Sequence, residues 1–210
     1  MLLSAQSASS QRVVAATEEI AALLGYEVIT CDPNFDAQKV AQCATSLVAQ
    51  KPDVIFSVSQ NPGPMGSALG DAAEQGILWV GTVDAVQPAP GLTPYGAPGS
   101  VTATAMDKWL FAEMAKRKGE GAELQVMALT APTVGIASLE QQNTLNADAE
   151  AAGNVKIVVQ HDLDLANIVQ DTLSTTTQTL QQYPDLAGTW TVCDFCVPLI
   201  AQAVGAAGIE

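Results

Sequence analysis

The four cysteines of this 210-residue chain fall into two pairs. Cys31 and Cys43 bracket "CDPNFDAQKVAQC", and Cys193 and Cys196 make "CDFC". Three chemistries use such residues. A zinc centre needs more ligands than either pair supplies, and the spacing is not that of a zinc ribbon. A thiol–disulfide couple needs a sulfur with a depressed pKa. "CDFC" stands where a strand-like run meets a helix N-terminus, a position that lowers it. A structural staple needs two Cα atoms within bonding range. Cys31 ends an apolar run and Cys43 falls on the apolar face of the next helical pattern, so a neighbouring strand and helix can bring them together. Closing that loop would constrain the unfolded chain by about 3 kcal/mol. Free thiols packed as small apolar groups are the bland alternative. We favour the staple for Cys31 and Cys43, which implies an oxidising compartment. For Cys193 and Cys196 a redox role and a structural one both stay open.

The other polar residues that could do chemistry recur at one kind of place. Asp32, Asp84, Asp162 and Asp194 each follow a strand-like run, and Ser59, Gln60 and Asn61 follow another. In parallel α/β sheets ligands bind outside the carboxyl ends of strands. Carboxylates and amides there accept hydrogen bonds from a neutral, hydroxyl-rich solute. Each aspartate taken alone could equally cap the next helix. The single histidine, His161, gives little scope for Ser-His, Cys-His or multi-histidine zinc chemistry. It reads as solvated or capping. Trp79, Trp109 and Trp190 lie inside strand or helix patterns and read as core rather than as stacking platforms.

A net charge of −14, with only 8 Lys and Arg, repels phosphate backbones and anionic membranes, so no nucleic-acid partner is expected. The apolar runs have strand length, so no membrane insertion is expected either. "MLLSAQSASSQR" lacks the basic start and long apolar core of a signal peptide.

The elements that position these residues alternate. A helix with Val13, Thr17, Ile20, Ala21 and Leu24 on one face precedes a strand, "YEVITC". A helix capped by Asp36 follows, with Val40, Cys43, Ala44, Leu47 and Val48 on its face. "DVIFSVS", a short helix ending at Gly76, and "ILWVGTV" come next. "DAVQPAPGLTPYGAP" reads as a connector. Helices and the strands "ELQVMALT", "VKIVVQ" and "TWTVC" then alternate to a last helix. The pattern predicts an α/β protein of two doubly wound, Rossmann-like parallel-sheet domains, residues 1–94 and 95–210.

"LGYEVITCDPNFDAQKVAQCATSLVAQKPDVIFSV" with "ALGDAAEQGILWVGTVDA" resembles the first domain of type I periplasmic binding proteins, the sugar-binding components of ABC importers. "GEGAELQVMALTAPTVGIASLEQQNTLNADAEAAGNVKIVVQ" and "QQYPDLAGTWTVCDFCVPLIAQAVGAAG" resemble the second. Against that family the chain is expected to begin at the helix that follows the first strand, and to stop before the C-terminal hinge segment. Both domains are thus expected to be incomplete. The resemblance implies ligand contacts at Asp84 and Asp194. Leu139 stands where sugar-reading members often carry Arg, and Cys193 replaces the Asn of an Asn-Asp pair.

The expected function is therefore extracytoplasmic solute binding without catalysis or cofactor. A small polar, sugar-like ligand would sit in an interdomain cleft, touching Ser59, Gln60, Asp84 and Asp194, and an ABC transporter permease would be the partner. The alternatives are a thiol–disulfide redox protein using Cys193 and Cys196, and a LacI-type effector domain without its DNA-binding segment.

Overall fold

The computed structural model describes residues 1–4, 8–34, 36–82 and 89–208. The chain divides into two compact units. The first comprises Met1–Pro98 with Val134–Ala137, and the second Gly99–Thr133 with Ser138–Glu210.

The first unit contains helices α1 (Ala8–Leu24), α2 (Ala37–Ala49) and α3 (Ala68–Glu74) and a parallel sheet. Its strands are β1 (Val54–Val58), β2 (Leu78–Thr82) and β3 (Leu92–Tyr95), in the order β1-β2-β3. Asp36 caps α2 by accepting from the backbone N–H groups of Gln38 and Lys39 at 2.8 and 3.1 Å. The helical period then carries Val40, Cys43, Ala44, Leu47 and Val48 onto one buried face. That face joins Leu2, Ile55, Met65, Leu69, Ile77, Trp79 and Leu92 in a single core.

Four expectations are corrected here. The stretch read as a connector contains β3, which pairs with β2 in the register Trp79↔Leu92 to Thr82↔Tyr95. Pro94 concealed it, yet an edge strand tolerates a residue that cannot donate to the ladder. Gly91 makes the approach to β3 possible: its φ is +82°, and a Cβ there would lie 2.3 Å from the Leu69 carbonyl oxygen.

The expected strand "YEVITC" is reduced to an extended segment with one bridge, Leu2↔Cys31. Met1–Leu3 lie between that segment and β1: Leu2 N–H donates to Phe56 O at 2.8 Å and Val58 N–H to Leu2 O at 3.0 Å. A strand extends only as far as it has a partner, and among the described residues Met1–Leu3 supply it.

The apolar face expected of α1 is only partly covered. Ala21 is buried, but Ile20 and Leu24 are 58% and 66% exposed. Amphipathic spacing shows that a helix can bury a face; it does not supply the surface that covers it.

The second unit holds α4 (Gly99–Lys118), α5 (Ile136–Ala152), α6 (Ile168–Gln182) and α7 (Val197–Ala206) around a parallel sheet ordered β5-β4-β6. The strands are β4 (Leu124–Thr130), β5 (Val155–Asp162) and β6 (Gly188–Thr191). β4 is central, and its apolar run reflects burial on both faces. Val126 and Ala128 enter a core with Met114, Leu145, Val155 and Trp190, while Met127 and Leu129 enter another with Leu163 and Cys196. The fourth correction concerns Trp109. It is 67% exposed, because the inward stripe of α4 runs through Ala103, Asp107 and Met114.

Candidate functional site

Each sheet presents its carboxyl edge separately. In the first unit the chain leaves β1 by a sharp reversal. Ser59 takes φ +52°, uncommon for a residue with a side chain, and its N–H donates to Thr82 O at 3.0 Å. Gln60 is buried, its amide donating back to Val58 O at 3.0 Å. Asn61 accepts from Gly63 N–H at 2.9 Å, which shapes the turn into the short 3₁₀ helix Gly63–Met65. Beside this edge lies a pocket of about 490 Å³, lined by Asn61, Gly63, Ser67, Gly70 and Ala89 among others. Its small side chains leave room, and its amide and hydroxyl groups offer both donors and acceptors to a neutral polar solute. Of the residues singled out in the sequence, Asn61 lines this pocket while Ser59 and Gln60 do not, and Ser67, whose helix-start position gave no sign of a pocket, was not among them. Asp84 lies outside the described residues.

A second groove, of about 190 Å³, runs along the opposite edge of this sheet between Met1, Val28, Ile29, Val54 and Phe56. It opens at the amino ends of strands, away from the edge where α/β sheets take ligands.

In the second unit Asp194 is exposed and opens a 3₁₀ turn, Asp194–Cys196, directly after β6. Asp162, exposed at the end of β5, accepts from the Thr130 hydroxyl at 2.6 Å. Asp164 is exposed; bonds from the Asn167 side chain and the Ala166 N–H hold its carboxyl below the usual carboxylate range. His161 pairs with Asp171 at 2.8 Å, and the same Asp171 accepts from Asp164 N–H, so the histidine is fastened to α6 rather than presented to a substrate.

One polar cluster here escaped sequence reading. Asp107 on α4 is fully buried and accepts from Trp190 Nε1 at 2.9 Å. Burial pushes its carboxyl up to about 7, and the carboxylate of Asp148 on α5 adds to the rise against the opposing Trp190 hydrogen bond. Asp107 Oδ2 and Asp148 Oδ2 have no donor among other side chains or backbone. A proton retained on Asp107 and donated toward Asp148 satisfies both oxygens. The only sign in the sequence was that Asp107 falls in phase with Ala103 and Met114.

Both cysteine pairs are disulfides. Cys31–Cys43 has a Cα–Cα distance of 5.7 Å and joins the end of the extended segment to the middle of α2; Cys193–Cys196 spans 5.6 Å. The oxidised wild type is expected to exceed a Cys31→Ala/Cys43→Ala variant by about 3 kcal/mol in urea unfolding. A difference below about 1 kcal/mol would show that the bond closes a segment already restrained in the unfolded chain. Among the described residues no group of three or more His, Cys, Asp or Glu could hold a metal ion. Among them, too, no helix is long and apolar enough to cross a membrane.

No protein-family model matches the chain, and no curated protein matches it. Solved structures do. An ABC sugar transporter subunit from Rhodobacter sphaeroides is 20% identical with a TM-score of 0.81, over 99% of this chain and 72% of that one. The Caulobacter myo-inositol binding protein, solved with myo-inositol, is 19% identical with a TM-score of 0.83, over 100% and 70%. A 5-methylthioribose transporter solute binding protein from Thermotoga lettingae, solved with 5-methylthioribose, is 16% identical with a TM-score of 0.84, over 99% and 64%. The chain thus spans roughly two thirds of the length of these proteins, and at such identity the likeness is one of fold. With its parallel sheets, alternating helices and two units, this chain has the α/β fold of the type I periplasmic binding proteins.

Proposed function

We propose that this protein is a solute-binding component of an ABC importer, working outside the cytoplasm on a small polar, sugar-like ligand. The observation that carries the reading is the pocket at the carboxyl edge of β1, furnished with Asn61 and Ser67, in a fold whose solved neighbours hold myo-inositol and 5-methylthioribose. Ser59, Gln60 and Asp84 of the first unit and Asp194 of the second are the proposed ligand contacts. That solved neighbours of this fold are solute-binding proteins supports binding without catalysis, and a permease is the proposed partner. The LacI-type alternative shares the fold; two disulfides, which persist in oxidising compartments, favour the extracytoplasmic reading over it.

Calorimetry against a panel of monosaccharides, polyols and thiosugars tests the proposal. A ligand is expected to bind, and Asp84→Ala and Asp194→Ala are each expected to weaken it about ten- to a hundredfold, the loss of one charged acceptor. Unchanged affinity in both variants would make these aspartates helix caps and remove them from the site. No binding by any member of the panel would overturn the choice of ligand class.

A further inference from the structure

We infer that Cys193–Cys196 is an exchange-active disulfide, reduced by a dithiol that attacks Cys193, whereas Cys31–Cys43 is structural. The inference is independent of the solute-binding reading. It begins with an asymmetry between the sulfurs of one pair. Cys193 is half-buried at the carboxyl end of β6, while Cys196 is fully buried. An incoming thiolate can therefore reach the first and not the second. Exchange also needs a sulfur able to leave as a thiolate. Cys196 is the N-cap residue of α7, a helix of 10 residues, and so stands at the positive end of its dipole. The Thr172 hydroxyl, on α6, donates toward Cys196 Sγ at 3.9 Å. Thr191 lies 3.4 Å from Cys193 Sγ.

The other disulfide lacks these aids. Cys31 is half-buried too, but its partner Cys43 lies in the middle of α2, among Leu2, Val40, Leu47 and Ile55. Both buried sulfurs, Cys43 and Cys196, sit among apolar side chains, which raise a thiol's pKa, but Cys43, in the middle of α2, lacks the helix N-terminus that offsets this at Cys196. The two pairs thus differ in the leaving group rather than in access.

The step balances with a dithiol as reductant. One thiolate of the dithiol attacks Cys193 Sγ; the Cys193–Cys196 bond breaks, and Cys196 leaves as a thiolate that takes up a proton. The second thiol of the reductant then attacks its own sulfur in the mixed disulfide and expels Cys193. The dithiol ends as a disulfide and the protein gains two thiols. With a net charge of −14 on the protein, a neutral or basic dithiol approaches more readily than an anionic monothiol such as glutathione.

The test gives oxidised full-length protein graded dithiothreitol, an acid quench, alkylation and peptide mapping. Cys193 and Cys196 are expected to be alkylated at a reductant concentration at least about tenfold below that which opens Cys31–Cys43. If both pairs open together, or Cys31–Cys43 first, the inference is wrong. A second measurement separates the attacking roles. At neutral pH the free Cys193 of Cys196→Ser is expected to react with an aromatic disulfide about tenfold or more faster than the free Cys196 of Cys193→Ser. Equal rates, or the reverse order, would also overturn it.

Discussion

Asp107→Asn is expected to flatten one component of the protein's pH dependence and to stabilise it above neutrality. The Asp107 carboxyl keeps its proton in the folded chain up to about pH 7, against an ordinary value of 3.8. Below 3.8 both folded and unfolded chains hold the proton, and the group contributes nothing. Between that value and about 7 the unfolded chain gives its proton up while the folded chain retains it, so stability falls as pH rises. Above about 7 the loss levels off. The interval corresponds to about 4 kcal/mol at most.

The geometry explains the sign. Trp190 supplies one donor to Asp107, Asp148 faces it from α5, and among the described residues no cation acts on it. An amide in place of the carboxyl still accepts from Trp190, and its NH₂ can donate to Asp148 without titrating. The many other carboxylates also titrate in acid, so the informative quantity is variant minus wild type. In urea unfolding that difference should be small at pH 4.5 and grow through pH 6 to pH 8. A difference that does not change with pH would show that Asp107 is ionised in the fold.

Trp79→Ala is expected to cost about 3–5 kcal/mol. The side chain is fully buried in the core of the first unit, on the central strand β2, and its indole N–H donates to the Ser57 hydroxyl at 3.1 Å. Truncation removes the largest buried side chain of that core and leaves the hydroxyl without the N–H. The neighbours come from α2, α3, β1 and β3, so no one element can shift to fill the space. Trp79→Phe should fall between, since it keeps most of the apolar contact and loses the hydrogen bond. Urea midpoints measured on the oxidised protein would decide it. A loss under about 1 kcal/mol for the alanine variant would mean that the first unit repacks freely and is not the close-packed body described above.

What could be read in the residue order were features that each element carries within itself. The Asp36 cap and the buried face of α2 follow from short-range hydrogen bonding and a 3.6-residue period. β4 announced itself by an uninterrupted apolar run, because a central parallel strand is buried on both faces. Alternation of such elements was enough for the fold class, and the placement of Ser59, Gln60 and Asp194 after strands followed from it. Tertiary structure decided whatever needs a partner far along the chain. β3 is a strand only because β2 offers an edge that tolerates Pro94. Among the described residues the segment ending at Cys31 has one bridge, to Leu2, and Ile20 and Leu24 of α1 stay exposed, because pairing and covering surfaces come from elsewhere in the chain. Trp109, expected in the core, lies outside, and the carboxyl of Asp107 lies inside. Helix phase relative to the sheet, rather than hydrophobicity alone, sets which side of α4 is buried, and a buried carboxyl becomes tolerable only where Trp190 and Asp148 arrive from other elements to share its hydrogen bonds.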